Sequence, residues 1–362
     1  MLALFFTMPS SYANETTFLK GKKEFIEKIN KEFDITRDGT VDLHNLYGRI
    51  DVKTWEQAKV KIDITVTVNA RDEKKAQQIF DRIKIDFANS RDFVKVETEL
   101  KSNRNGDWSG IDKSDFTIDY LVFLPASIYL DLSMKYGAAK IAALTNRAKI
   151  VIKYGDLSMD GLAGDLDLEI AYGNGTVINC HDLDAEIAYG ELRLNKGNNL
   201  KIDSKYSEVS VKAANVVRLS SRYDELEFGK IKELRNEGMY DDFEIESAEI
   251  VDIKSKYTDL KIDDLKQQGI FNMTYGDVDI NTLHAGFKNL DINSKYADFH
   301  IHMAKNAGYD LDASGSHSDF HYPSAFQVKS IDDEGTDQHV RGQQGTGGKI
   351  NARMTYGDLI ID

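Results

Sequence analysis

Residues 153–173 read KYGDLSMDGLAGDLDLEIAYG, a stretch that begins and ends on the same Tyr-Gly pair. Around each tyrosine, apolar and polar residues alternate, which is the pattern of a strand with one buried face. From Tyr136 to His317 the unit recurs at spacings of 17 to 21 residues, and Tyr356 closes the series; a fixed period of this size indicates a solenoid. The repeated position is occupied by Tyr136, Tyr154, Tyr172, Tyr189, Tyr206, Tyr223, Tyr240, Tyr257, Tyr275, Tyr296, His317 and Tyr356.

Each unit predicts a strand, a corner and a second strand. Apolar residues stand three and five places after the tyrosine, as Leu157 and Met159 do after Tyr154. The tyrosine shares the parity of the apolar residues before it, so we expect its ring to point into the core. The following residue, Gly155 in this copy, is expected to form the corner with a positive φ.

One such unit cannot bury its own apolar face, whereas parallel stacking of successive units does so. The sequence therefore predicts an all-β fold, a single-stranded parallel β-helix of short coils. A β-propeller is the rival architecture, but each of its blades needs about 40 or more residues.

The remaining chain divides around the array. Residues 14–125 are predicted to form an N-terminal α+β cap. Within it we expect strands over residues 59–68, 93–100 and 116–124, and one short helix capped by Asp72. The repeats occupy residues 126–328. Residues 329–348 are predicted to be a Gly/Gln-rich loop, and residues 349–362 the closing strand.

Composition excludes several classes of function. The formal net charge of −14 disfavours nucleic acid and anionic membrane surfaces as partners. No apolar run approaches the ~20 residues of a membrane span. The single cysteine, Cys180, excludes an internal disulfide and a thiolate zinc cluster, and we expect it to be a buried small residue rather than a reactive thiol.

The first residues predict export. Leu2 to Phe6 form a short apolar stretch, and Ser11-Tyr12-Ala13 resembles a signal-peptidase site. Residues 1–13 are then a signal-peptide remnant, and the mature chain begins at Asn14. A disordered cytoplasmic tail is the alternative. Export would place the protein in the periplasm or at the cell surface.

An acidic column lies two residues after the repeated tyrosine, and a partly basic column lies one residue before it. Stacked like charges repel, so something must offset the acidic column. Pairing with the basic column and hydrogen bonds to corner amides are one account. Calcium bridging between carboxylates is the other, although the GGxGxD calcium repeat is absent.

Four histidines are candidate metal ligands in two neighbouring copies: His300, His302, His317 and His321. Imidazole suits Zn²⁺ or Cu²⁺. We expect His300 and His321 to stack, because both stand four places after the repeated position. The alternative is a solvated strand without metal, since no cysteine or carboxylate completes the set by spacing. No other cofactor is predicted.

Three segments together resemble the bacterial putative-adhesin family of exported β-solenoid adhesin-head domains. They are the early pattern FDITRDGTVDLHNLYGRIDVKTWEQAKVKIDITVTVNARDEKKAQQIFDRI, the repeated YGD-hydrophobic unit and the closing GGKINARMTYGDLIID. The resemblance implies a right-handed, single-stranded β-helix and an exported location. It implies adhesion by name alone, and it supplies no catalytic residues.

Two classes of function follow. The first is a non-catalytic binding or structural module whose partner is an extracellular polysaccharide or another protein. The second is a polysaccharide lyase or hydrolase, because parallel β-helices also carry such enzymes. An enzyme needs one distinct site with paired carboxylates or an equivalent set. The copies are nearly uniform and none carries a long insertion, which favours the binding module.

Overall fold

The computed structural model describes residues 21–101 and 115–362, and this part of the chain is an all-β, solenoid-like array with a single helix. The predicted signal-peptide remnant, residues 1–13, lies outside the described residues, as do residues 102–114. Hydrogen-bonded strands continue from one end of the described chain to the other, so one hydrophobic core runs through all the coils.

The N-terminal segment contains the helix and the first coil. Helix α1 is Glu73–Phe80, and the Asp72 side chain accepts a hydrogen bond from the Lys75 backbone, as the cap prediction requires. The strands are β1 (Lys23–Asp34), β2 (Thr40–Trp55), β3 (Lys59–Ala70), β4 (Ile83–Asn89), β5 (Phe93–Leu100) and β6 (Phe116–Pro125).

Strand β2 contains Tyr47 and forms the first coil. Its first half pairs in parallel with β5, and its second half pairs in parallel with β6. Beyond these two strands, β4 pairs antiparallel with β5, and β3 pairs antiparallel with β6. The outer edge of the first coil is therefore hydrogen-bonded along both halves. That this segment acts as a cap stays a prediction, as does the handedness of the coils.

The array follows with one turn of chain per repeat. Its strands are β7 (Tyr129–Ile141), β8 (Ala148–Lys153), β9 (Asp156–Met159), β10 (Leu166–Ala171), β11 (Asn174–Asn179), β12 (Leu183–Ala188), β13 (Glu191–Lys196), β14 (Asn199–Lys205), β15 (Glu208–Arg222), β16 (Glu225–Met239), β17 (Asp242–Lys256), β18 (Asp259–Ile262), β19 (Leu265–Leu283) and β20 (Asn289–Met303).

Every coil pairs in parallel with the equivalent residues of the next. Leu166 lies opposite Leu183, and Leu183 lies opposite Leu200, so inward residues stack on inward residues. The residues predicted to face inward after the corner, such as Leu157 and Met159, are 3% and 1% exposed. Alternation on both sides of the corner therefore builds the core as the sequence predicts.

The C-terminal part departs from chain order. Its strands are β21 (Gly308–Ser316), β22 (Phe320–His321), β23 (Gln327–Glu334), β24 (Asp337–Gln344), β25 (Gly347–Thr355) and β26 (Leu359–Ile361). Strand β25 pairs in parallel with β20 on one side and with β21 on the other. The closing coil is thus inserted between two coils that precede it in the sequence.

The prediction of a loop over residues 329–348 is wrong. Strands β23 and β24 form an antiparallel hairpin there, and β24 continues antiparallel onto β21. Its residues are mostly polar because β23 is exposed along its whole length. The polar composition that predicts a loop instead belongs to a solvated hairpin at the edge of the array.

Candidate functional site

An unbroken column of aromatic rings runs along the outside of the array. Neighbouring rings have centroids 4.6 to 5.1 Å apart, which is close to the ~4.8 Å separation of paired strands. Tyrosine rings in contact are within 15° of parallel, and His317 ends the column at 22° to Tyr356. In spatial order the members are Tyr47, Tyr136, Tyr154, Tyr172, Tyr189, Tyr206, Tyr223, Tyr240, Tyr257, Tyr275, Tyr296, Tyr356 and His317.

The prediction that these tyrosines face inward is wrong. The repeated tyrosines from Tyr136 onward are 36% to 50% exposed. All members of the column have a left-handed backbone, with φ between 51° and 62°. A left-handed residue interrupts the alternation of the strand, so the side chain points outward where parity alone would turn it inward. The tyrosine itself is the corner.

The corner glycine prediction is wrong for the same reason. Gly155 is not among the described residues with positive φ, although Gly276 is, at 128°. A Cβ on Gly155 would lie 1.8 Å from the Gly137 carbonyl oxygen in the coil before it. Glycine is needed there because two backbones approach closely, and only Gly276 also needs its φ.

Stacking determines what the column can offer a ligand. Within the column each ring has a neighbour on both faces, so the faces are covered. The ring edges and phenolic hydroxyls remain at the surface, as a row that repeats once per coil. A sugar ring therefore cannot stack on an internal tyrosine face, whereas it can hydrogen-bond to the row of hydroxyls.

Three carboxylates of the acidic column beside the tyrosines accept hydrogen bonds from backbone amides. The Asp277 amide donates to Asp259 at 3.0 Å, and the Asp358 amide donates to Asp298 at 2.7 Å. Burial, and then repulsion from Asp259 and Asp298, raise the pKa of Asp277. The amide account is confirmed at Asp259, Asp298 and Asp358, and calcium bridging stays a prediction.

The expected pairing between the acidic and basic columns is wrong for residues 21–101 and 115–362, where no ion pair joins them. Some of the basic side chains lie over the tyrosine rings instead. The Lys135 ammonium is 5.1 Å from the Tyr136 centroid, and the Lys295 ammonium is 5.2 Å from that of Tyr296. These two lysines of the basic column therefore belong to the tyrosine surface.

Inside the corner of four successive coils lies a buried polar column that the sequence analysis did not predict. Asp224 and Asp241 are each 4% exposed. Ser204 donates to Asp224 and Ser221 donates to Asp241, both at 2.7 Å. Burial, with a smaller contribution from the Asp224 charge, raises the pKa of Asp241 to about 6. A serine two places before the tyrosine was the available signal.

The four candidate histidines do not form one cluster. His300 and His302 lie together, with ring centroids 4.4 Å apart. His317 stacks on Tyr356 at the end of the aromatic column. The predicted stacking of His300 on His321 is wrong, because Ile360 of the inserted closing coil pairs with both positions and separates them.

The chain is similar to several solved structures at low identity. A "putative cell adhesion protein" from Clostridium sporogenes is 9% identical, with a TM-score of 0.20, covering 94% of this chain and 98% of its own. A "putative adhesin" from Bacteroides fragilis is 11% identical, with a TM-score of 0.24, covering 93% and 97%. One from Parabacteroides merdae is 12% identical, with a TM-score of 0.30, covering 77% and 97%.

The Toastrack DUF4097 family model matches residues 175–362, just over half of the chain. The chain belongs to the Toastrack DUF4097 family. This membership confirms the family-level resemblance, and the match includes both the repeated YGD units from Tyr189 onward and the closing segment. No curated protein sequence matches the chain.

Two further features of this Toastrack chain bear on its chemistry. Cys180 is buried, as predicted, and burial raises the pKa of its thiol to about 12, so the reactive thiolate is suppressed. In the described part of the Toastrack chain, no helix has the length and apolar character needed to cross a membrane.

Proposed function

We propose that this Toastrack chain is a non-catalytic, exported binding module, in the periplasm or at the cell surface, that holds an extended polysaccharide along its tyrosine column. The observation that carries the proposal is the unbroken, half-exposed row of tyrosines. A partner that repeats along its length can make the same contact at each coil. Weak contacts repeated in this way sum to useful affinity.

The tyrosine column is organised before any ligand arrives. Each ring is held between two neighbours and has a fixed backbone, so little side-chain entropy remains to be lost on binding. Tyrosine also offers a rigid apolar body and a hydroxyl that donates and accepts hydrogen bonds. Carboxylates and ammonium groups flank the row, which suits a polyol with hydroxyl and amino groups.

The net charge of the chain restricts the kind of polymer that it can bind. A chain of net charge −14 repels polyanions, so the proposed ligand is a neutral or amino-sugar polymer. Binding to another protein along the same row is the alternative outcome. A nucleic-acid partner is disfavoured on the same electrostatic ground.

The uniformity of the coils supports a non-catalytic role. Catalysis needs a few groups in one unique arrangement whose environments set their pKa values apart. On the tyrosine surface each coil offers nearly the same outward groups. A polysaccharide-degrading enzyme is the second candidate, and detection of turnover on any bound glycan would favour it.

The first test is a glycan array, followed by affinity measurements against an oligosaccharide series of increasing length. Removing residues 205–255 deletes three coils and joins Ser204 to Lys256. This junction preserves register, because Lys205 lies opposite Arg222, Arg222 opposite Met239, and Met239 opposite Lys256. We expect weaker binding to long glycans and unchanged binding to short ones.

A matched pair of triple variants separates the tyrosine surface from the rest of the coil. Changing Tyr206, Tyr223 and Tyr240 to Phe removes three hydroxyls but keeps the stacked rings, and should weaken glycan binding several-fold. The control changes Asp203, Ser220 and Glu237 to Ala, on the outward side of the strands before the same corners. Equal affinities of both variants for the glycan would contradict the proposal.

Export is tested separately by mass spectrometry of protein from the native host. The expected N-terminus is Asn14, produced by cleavage after Ser11-Tyr12-Ala13. A form that begins at Met1 in the cytoplasm would contradict export while leaving glycan binding open.

A further inference from the structure

Two histidines project from the same side of strand β20. His300 and His302 are two residues apart, so the alternation of the strand sends both side chains outward. Their side chains are 39% and 44% exposed, and their ring centroids are 4.4 Å apart. Both rings are therefore accessible to an ion from solvent.

A carboxylate from the closing coil supplies a third potential ligand. Asp362 Oδ1 is 2.5 Å from His302 Nδ1, and Asp362 Oδ2 is 3.3 Å from His300 Nε2. The backbone fixes this placement, because the Asp362 amide donates to Ile301 and its carbonyl accepts from Met303. The carboxylate is thus brought to the histidines by strand pairing rather than by sequence proximity.

We propose that His300, His302 and Asp362 form a binding site for a divalent first-row transition metal, Zn²⁺ in the first instance. One donor atom from each residue lies within 4.8 Å of the others. Zinc bonds of about 2.1 Å place tetrahedral donors some 3.4 Å apart, so modest side-chain rotation is enough. Two imidazoles and one carboxylate are a ligand set that zinc uses, with water in the fourth position.

Two other groups of potential ligands are less suitable. Asp42, His44 and Asp131 contain one imidazole, and the Lys95 ammonium lies 3.8 Å from Asp42 and competes for its charge.

Asp165, His181 and Asp182 form the other group and also contain a single imidazole. Asp182 Oδ1 accepts three hydrogen bonds from asparagines, which occupy its lone pairs. The group at His300 is the one with two imidazoles.

A second carboxylate stands behind the first histidine. Asp279, from the adjacent coil, has Oδ1 3.9 Å from His300 Nδ1, the ring nitrogen that faces away from Asp362. Carboxylates in this position orient metal-bound imidazoles and raise their basicity. The metal would join the closing coil to the preceding coil, so its binding should stabilise the folded state.

The experiment measures Zn²⁺ binding to the full chain by calorimetry, together with thermal unfolding at increasing Zn²⁺. We expect one saturable site in this region and a rise in Tm. His302→Ala should weaken this binding at least ~10-fold, and Asp279→Asn should weaken it by about 10-fold as an outer-shell change. His321→Ala, on the strand beyond the closing coil, is the matched control and should bind as the parent does.

Cu²⁺ provides a readout of ligand identity. Its electron paramagnetic resonance spectrum should show coupling to two imidazole nitrogens, because His300 and His302 each supply one. His300→Gln/His302→Gln keeps polar side chains on an exposed strand, and its metal-free unfolding midpoint checks that it folds. Parent-like Zn²⁺ affinity in that folded variant would overturn the proposal, as would loss of binding on His181→Ala alone.

Discussion

The coils around Tyr154 and Tyr223 build the same corner in two different ways. In the first, Ile152 stands two places before the tyrosine and Gly155 directly follows it. In the second, Ser221 and Asp224 take those positions, and both are buried. The tyrosines of the two coils have the same left-handed backbone, with φ of 57° and 58°. The outer surface is therefore independent of how the corner is filled.

We call the coils with glycine after the tyrosine the glycine section and the others the polar section. An exchange of side-chain volume between the position two before the tyrosine and the position directly after it explains the difference. A large apolar residue before the tyrosine accompanies glycine after it, and a serine or glycine before it accompanies a residue other than glycine after it. The large-then-glycine pairs are Met134/Gly137, Ile152/Gly155, Ile170/Gly173, Ile187/Gly190, Met273/Gly276 and Met354/Gly357. The small-first pairs are Ser204/Ser207, Ser221/Asp224, Gly238/Asp241, Ser255/Thr258, Ser294/Ala297 and Gly315/Ser318.

We infer from this exchange that the two positions, three residues apart, share one interior space, beside the close backbone approach that a Cβ on Gly155 would meet. Close packing leaves room there for one large side chain or for two small ones, since Ser221 and Asp224 are both buried. Where the second position supplies a side chain, that side chain is mostly polar and needs partners, which the neighbouring serines provide. The section with aspartates gains a hydrogen-bonded interior at the cost of burying carboxylates.

The largest expected effect comes from breaking the glycine section. Gly155→Val should lower the free energy of unfolding by about 3 kcal/mol or more, because its Cβ would meet the Gly137 carbonyl oxygen. Urea unfolding measures the change. Ser207→Val, at the same position in the polar section, is the control and should cost clearly less, since a Cβ is already accommodated there.

The exchange itself can be tested by converting one coil into the other type. Gly155→Ser and Ile152→Ser should each destabilise the chain alone. The double variant reproduces the Ser204/Ser207 arrangement and should be at least about 1 kcal/mol more stable than the sum of the single changes. Additive losses would mean that the two positions do not share a space.

In the polar section, Asp241→Asn should raise stability at neutral pH by up to about 3 kcal/mol. Its pKa of about 6 exceeds the ordinary 3.8, so the native state binds the proton more tightly than the unfolded state. The stability that the parent protein gains from protonated Asp241 is fully present below about pH 4 and is lost as pH rises through 6. The Asn side chain can donate to Ser221, as a protonated carboxyl would.

Urea unfolding of parent and Asp241→Asn at pH 4 and pH 7.5 measures this effect. The gain from the substitution should be present at pH 7.5 and nearly absent at pH 4. Asp242→Asn, an exposed neighbour, is the control and should show no comparable dependence. A gain of equal size at both pH values would show that ionisation of Asp241 is not its source.

The smallest effect concerns the tyrosine corner that both sections share. Tyr223→Ala and Tyr223→Asn lose the same two stacking contacts, but asparagine tolerates a left-handed backbone better. We expect Tyr223→Asn to be about 1 kcal/mol more stable than Tyr223→Ala in urea unfolding. Equal midpoints would indicate that the corner relaxes when the ring is removed.

The sequence predicts the solenoid and its core well, because period-two alternation directly encodes which side of a strand is buried. Leu157 and Met159 follow that rule, and Asp72 follows the local rule for a helix cap. Tyr154 does not, because its left-handed backbone reverses the parity on which the prediction depended. Tyrosine is not a residue type that signals this conformation.

Only the two histidines of the candidate metal site could be predicted from the sequence. His300 and His302 are neighbours on one strand, and alternation places them together. Asp362 joins them through the insertion of the closing coil, and nothing in the spacing of the repeats indicates that the last copy pairs out of order.

The inserted coil has a consequence for how the chain folds. A simple solenoid can lengthen by adding each new coil to the last, with short-range contacts throughout. Here residues 347–361 must enter between residues 289–303 and 308–321, so part of the end has to stay open until the final strand arrives. The last step closes contacts some 60 residues apart, and such non-local closure is slow. Folding of the C-terminal end should therefore be limited by the late insertion of this coil rather than by stepwise addition of coils.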